Sequence, residues 1–343
     1  MKKVSVVSVC MFLLGTISIV GAQGNGALVV TSSNAAANQL LVYNTAGTLV
    51  QAVSTQGQGG VSNNAGGIAA QGNTVAVVNF GSQSVSIFGL GPLGFALRQV
   101  VPAVSSPVSV AFGRNHLYIL GTTAVESHQI ENSTVDAEAD GVVDLARADG
   151  SAAQVGVAGD ALVISEKSGA IEVVALRGGL AVGPAVEVRI PADSDTPFGL
   201  VTRGDNAYVT IAHSDEVSLI KNGRLVALAA TSTGFPNGLG QHAPCWIALT
   251  GPYLFTSNSP SHSISRLLAT GGHITVDIPV AAHTVGAPID IAADDTRLAV
   301  LEDNGNGQAH LTQFRFDDSD NLVQVATTAI ASPANGVAIV SGQ

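Results

Sequence analysis

Six ionisable side chains in this 343-residue sequence could do acid–base chemistry if they met: Glu166, Lys167, His213, Asp290, Glu302 and Asp303. A carboxylate beside a histidine can pass a proton, and a lysine near both can hold an anionic ligand. Asn79 and Asn258 could add amide hydrogen bonds, and Trp246 an aromatic shelf. Residues this far apart in sequence form a site only where the chain returns repeatedly to one place.

It does return. A turn, often with proline, leads into a short apolar strand, a Gly/Asp/Asn turn, a second apolar strand, a polar turn and a third strand. The clearest copies are "PVSVAFGRNHLYIL" from Pro107, "PFGLVTRGDNAYVTIAHSDEVSLI" from Pro197, "PCWIALTGPYLFTSNSPSHSISRL" from Pro244 and "PIDIAADDTRLAVLED" from Pro288. Copies without the proline begin at Gly66 and Ala152, and a last fragment begins at Pro333. Starts near 65, 107, 152, 197, 244, 288 and 333 give a spacing of 42 to 47 residues, that of a four-stranded propeller blade. Alternation such as "SVSIF" at Ser84 and "VEVRI" at Val186 is of strand type. The fragment from Pro333 supplies one strand, and "ALVVTS", "QLLVYN" and "LVQAVST" near the other end supply three. The expectation is an all-β, seven-bladed β-propeller over residues 23–343, closed by a C-terminal strand beside three N-terminal ones.

In a propeller, a site is built from equivalent positions of several blades. One column near the channel mouth reads Gly67, Ser109, Gln154, Gly199, Trp246, Asp290 and Gly336, with Trp246 the only bulky member. Its bulk either partly plugs the channel mouth or fills space left by neighbouring glycines, and packing is the expectation over a binding shelf. Cys245, one column over among mostly apolar residues, lacks the base or positive field of a reactive thiol and is expected to be buried and inert. A second column closes strand two: Thr31, Asn79, Gly121, Ser165, Ile211, Asn258 and Glu302, with Glu166, Lys167, His213 and Asp303 adjacent. These polar ends either face water or line a site.

Composition narrows the function classes. Lys2 and Lys3, the uncharged apolar run Val4 to Val20 and the small residues at Val20-Gly21-Ala22 read as a signal peptide over residues 1–22, hence a secreted or periplasmic protein. Its removal shifts the formal charge from −11 to −13 and leaves Cys245 the sole cysteine, so neither nucleic acid, an anionic membrane nor an internal disulfide is expected. Asn132-Ser133-Thr134 is a glycosylation sequon should the host be eukaryotic. Histidines are scattered and "EDNGNGQ" at Glu302 lacks full calcium-loop spacing, so no metal or other cofactor is expected. A monomer is expected.

The runs "TPFGLV", "HAPCWIALTGPYLFTSNSPSHSISRL", "APIDIAADDTRLAVLED", "SPANGVAIV", "AQVGVAGDALVISEKSGAIEVVAL" and "NFGSQSVSIF" resemble exported propellers of the lactonase-like group, named after 6-phosphogluconolactonase and 3-carboxymuconate cyclase. The resemblance implies opening or closing a lactone on a carboxylated small molecule, with His, Glu and Arg at the channel mouth. Where that group carries histidine and arginine, this chain has "AGGIAAQGNTVAVVNFGSQSV" and "GSAAQV" or "DTPFGL", so no catalytic residue carries over. The resulting expectation is a propeller binding a small molecule or protein at the channel mouth through Asn79, Trp246, Asn258, Asp290 and Asp303. The alternative is a lactone hydrolase or cyclase, with Glu166 or Glu302 as general base, His213 as proton carrier and Lys167 as carboxylate anchor.

Overall fold

The computed structural model describes residues 26–231, 240–331 and 333–341. The expected signal peptide therefore lies outside the described residues. Seven antiparallel sheets stand around an axis, and the first strand of each packs against the first strands of its two neighbours, closing the ring. Blade 1 spans Ile68–Gln71, Thr74–Asn79, Ser84–Gly91 and Gly94–Pro102. Blades 2 to 6 open with strands Pro107–Gly113, Ala152–Ala158, Pro197–Arg203, Pro244–Thr250 and Ala287–Ala293. Blade 7 joins Asn335–Val340 to Leu28–Ser32, Gln39–Tyr43 and Leu49–Ser54. The seven-bladed expectation and its mode of closure both hold.

Burial follows strand order within a blade, which explains the sequence pattern. Second strands such as His116–Gly121 are buried throughout and read as unbroken apolar runs. Fourth strands such as Gly94–Pro102 alternate, because one face meets water. Tyr118, Phe88 and Phe255, all fully buried, fill the space between blades. The turn joining the first two strands of blade 2 needs positive φ at both central residues, Arg114 (50°) and Asn115 (57°), the backbone that matches strand twist in a two-residue hairpin.

Blades 2 to 6 share one irregularity. Just after its opening residue the first strand bulges: Pro107 pairs with Gly121 and Ser109 with Leu120, and the same slip follows Ala152, Pro197, Pro244 and Pro288. Glu166, opposite Ala152, stands in the column of Asn258 and Glu302, where sequence alignment places Ser165. The slip takes backbone groups at the bulge out of the ladder, so they must find partners elsewhere.

Candidate functional site

The upper face carries the loops entering the first strands and the turns between second and third strands. At its centre the chain seals its own axis. The segment Asn64-Ala65-Gly66, leading into blade 1, reaches over the inner strands. The Asn64 amide donates to the carbonyl of Val108 in blade 2 and exchanges hydrogen bonds with Asn335 of blade 7. The Ala65 N–H donates to the Ala153 carbonyl of blade 3 at 3.1 Å, and the Gly66 carbonyl accepts from the Val110 N–H of blade 2 at 2.9 Å. Val108 and Ala153 are bulge residues, so the segment uses acceptors that the bulges released. From blade 5, Trp246 closes the remaining side: its Nε1–H donates to the Asn64 carbonyl at 3.0 Å. The indole meets Phe198 edge to face at 5.1 Å and is 8% exposed. Gly199 gives the strand room, since a Cβ there would lie 2.6 Å from the Cys245 carbonyl.

Around this plug the inner column acts as a clasp. Ser109 Oγ accepts the Val155 N–H, Gln154 Oε1 the Leu200 N–H, and Asp290 Oδ2 the Val337 N–H, each reaching the next blade. Asp290 Oδ1 also takes the Ile291 N–H. Burial nevertheless pushes the Asp290 carboxyl up to about 7, outweighing those two donors.

The outer candidates are similarly engaged. Asn79 is fully buried and donates to Ser86 Oγ at 2.7 Å while accepting from Asn38. Asn258 repeats the motif, donating to Ser265 Oγ at 2.8 Å. Glu302, also fully buried, accepts the Val285 and Gly286 N–H groups on Oε2 at 2.8 and 2.9 Å, holding the loop between blades 5 and 6. Burial raises its carboxyl against those donors. Two carboxylates that sequence reasoning passed over act alike: Glu172 accepts the Ala146 and Arg147 N–H groups, and Glu126 the Val104 N–H. Their one sequence signal is an acid third in a third strand, at Glu126 and Glu172 alike.

Glu166 accepts from Ser151 Oγ at 2.8 Å through Oε2, and its buried Oε1, like that of Glu302, has no hydrogen-bond partner. Burial pushes its carboxyl up to about 8, against the pull of Ser151. Lys167 turns away to the Ala152 carbonyl at 3.0 Å, and its desolvated ammonium is held below the ordinary lysine range. His213 is exposed on blade 4 beside Thr196 and Asp195. Asp303 folds back on its own turn to accept the Gly305 N–H. Glu166 and Lys167 are thus neighbours on blade 3, while His213 and Glu302 sit in blades 4 and 6 with local partners of their own.

The feature best arranged for proton handling is one the sequence did not single out. His242 Nδ1 meets Asp215 Oδ2 at 2.7 Å, and the other Asp215 oxygen accepts the Ala243 N–H. Aspartate so placed fixes the ring and leaves Nε2 outward. Twenty-seven residues and a bulge separate the pair, which is why spacing gave no hint. Cys245 is half-buried rather than buried, and burial, with Asp215 adding to it, pushes its thiol up to about 12, which fits the inert reading. Among the described residues no group of three or more His, Cys, Asp or Glu is placed to hold a metal ion.

The shape of the chain resembles several solved propellers. Proteins from Bacteroides fragilis and Bacteroides uniformis, each described as a "putative 6-phosphogluconolactonase", match at TM-scores of 0.65 and 0.63 with 14% and 15% identity. These matches cover 92% and 89% of this chain, and 98% and 99% of theirs. A protein from Lactobacillus plantarum matches at 0.66 with 15% identity over 92% of this chain and 99% of its own. At such identity the likeness establishes the fold, a seven-bladed propeller. No protein-family model and no curated protein matches the sequence.

Proposed function

We propose that this protein is an exported binding propeller that receives a small molecule or a protein on its upper face, and that it does not turn over lactones. The observation that carries this reading is the Trp246–Asn64 hydrogen bond, which occupies the channel mouth where a lactone would have to sit. Three further features support it. Glu302 commits one carboxylate oxygen, Oε2, to a loop and is fully buried. Glu166 faces Ser151, and Lys167 faces a backbone carbonyl. Among the described residues, the rim of blades 4 and 5 presents exposed His213 and half-exposed His242 flanked by Asp195 and Asp215 to a ligand. Such a rim favours a ligand rich in hydrogen-bond donors or positive charge.

The test is a panel of aldono- and carboxy-lactones, assayed by acid release with wild-type protein and the Glu166→Gln variant. No turnover above buffer by either is expected. Turnover by the wild type that falls at least a hundredfold in a folded Glu166→Gln protein would establish the lactonase reading instead.

A further inference from the structure

The lower face, opposite the plug, holds a cavity that the upper-face reading does not use. We propose that the cleft between blades 1 and 2 binds a small organic monocarboxylate, with Arg98 gripping the carboxylate and the side chains of Leu90, Phe112 and Ile130 meeting the body of the ligand within a mostly polar lining. The cavity measures about 410 Å³, within the usual range for small-molecule sites. Arg98 lines it from the outer strand of blade 1 and has no ion-pair or hydrogen-bond partner among the described residues. Its guanidinium lies flat over Gly89, where a Cβ would fall 1.8 Å from Nε, so the sequence keeps a glycine beneath it. The lining is mostly polar, from Gln71, Asn73, Thr74, Ser133 and Arg98, and Leu90, Phe112, Ile130 and Val135 add a smaller apolar share from both blades.

The chemistry selects the ligand class. One guanidinium fork matches one carboxylate in a bidentate pair, whereas a phosphate dianion would call for further cations. No acidic side chain lines the cavity, although acids outnumber bases 25 to 14 in the chain. The corresponding cleft between blades 3 and 4 makes the contrast, being lined by Asp160 and Asp205 and measuring about 270 Å³. Arg98 is thus an unneutralised cation in a mostly polar recess of an acidic protein. The blades are locked together here, because the Gln99 side chain donates to the Val135 carbonyl and accepts its N–H.

The test is calorimetric titration of the full chain with benzoate, hexanoate, benzamide and inorganic phosphate, repeated on Arg98→Gln and Gly89→Ala. The expected result is saturable one-site binding of both carboxylates, at least tenfold weaker binding of benzamide and phosphate, and a loss of at least tenfold in either variant. Arg98 is solvent-exposed and Gly89 meets only its flexible side chain, so both variants should fold, as circular dichroism would verify. No saturation by either carboxylate at 10 mM, equal binding to Arg98→Gln, or phosphate binding as tightly as benzoate would each overturn the proposal.

Discussion

Trp246 of blade 5 donates its indole N–H to the backbone carbonyl of Asn64, the residue that leads the chain into blade 1, at 3.0 Å. The two blades are as far apart as a seven-membered ring allows, so this one bond runs across the axis. It brings the sole tryptophan of the chain against a backbone segment already tied to blades 2, 3 and 7. Closing the mouth this way exchanges an open, water-filled channel for a packed lid of Ala65, Phe198 and Trp246.

That lid carries stability. Trp246→Ala should cost about 3–5 kcal/mol, as for other buried large-to-small changes. Trp246→Phe keeps the contact with Phe198 but leaves a buried carbonyl unpaired, and should cost about 1–2 kcal/mol. Urea denaturation of the two variants measures both, and equal, negligible losses would contradict a packed lid.

The buried carboxylate of Glu302 should behave as a loop clamp. Glu302→Ala strands the Val285 and Gly286 N–H groups and is expected to cost about 2–4 kcal/mol. Glu302→Gln retains an acceptor oxygen and should cost less than about 1 kcal/mol. A clamp predicts this order in denaturation midpoints.

Stability should fall as pH rises from about 4 to about 8. Burial raises Asp290 to about 7 and Glu166 to about 8, so the folded chain holds two protons that the unfolded chain releases near its ordinary carboxylate values. Their contribution is fully present at and below pH 4, is lost through that window and is level above it. Glu166→Gln removes the ionisation while keeping an oxygen for Ser151. Its melting temperature should match wild type at pH 4 and exceed it by about 2–4 °C at pH 9.

Cys245 should be sluggish toward thiol reagents. With its thiol at about 12, native protein at pH 8 is expected to react with a disulfide reagent on the order of a hundredfold more slowly than the urea-unfolded chain. Comparable rates would mean that the thiol is activated.

The architecture was legible because each blade must bury a near-continuous second strand and leave its fourth strand half wet, a pattern that recurs with period. Trp246 stood out against its column for the same reason. The plug was not legible. Blade 1 lacks the opening proline, and nothing local in "SNNAGG" says that its backbone will cross the axis. Glu166, not Ser165, stands opposite the opening residue of blade 3, and without the proline that marks that residue in blades 2, 4, 5 and 6 the sequence placed this column one residue early. The Asp215–His242 pair depends on two loops from neighbouring blades, and spacing within either loop is silent about the other.

The sealed mouth is tested most directly by the Trp246 indole N–H, a single resonance in a 15N-labelled sample because the chain has one tryptophan. Transferred into D₂O at neutral pH, that proton should survive for minutes to hours, protected by its bond to Asn64 and by burial. Complete exchange within the dead time, with backbone amides of the second strands still protected, would show an open channel mouth and contradict the account.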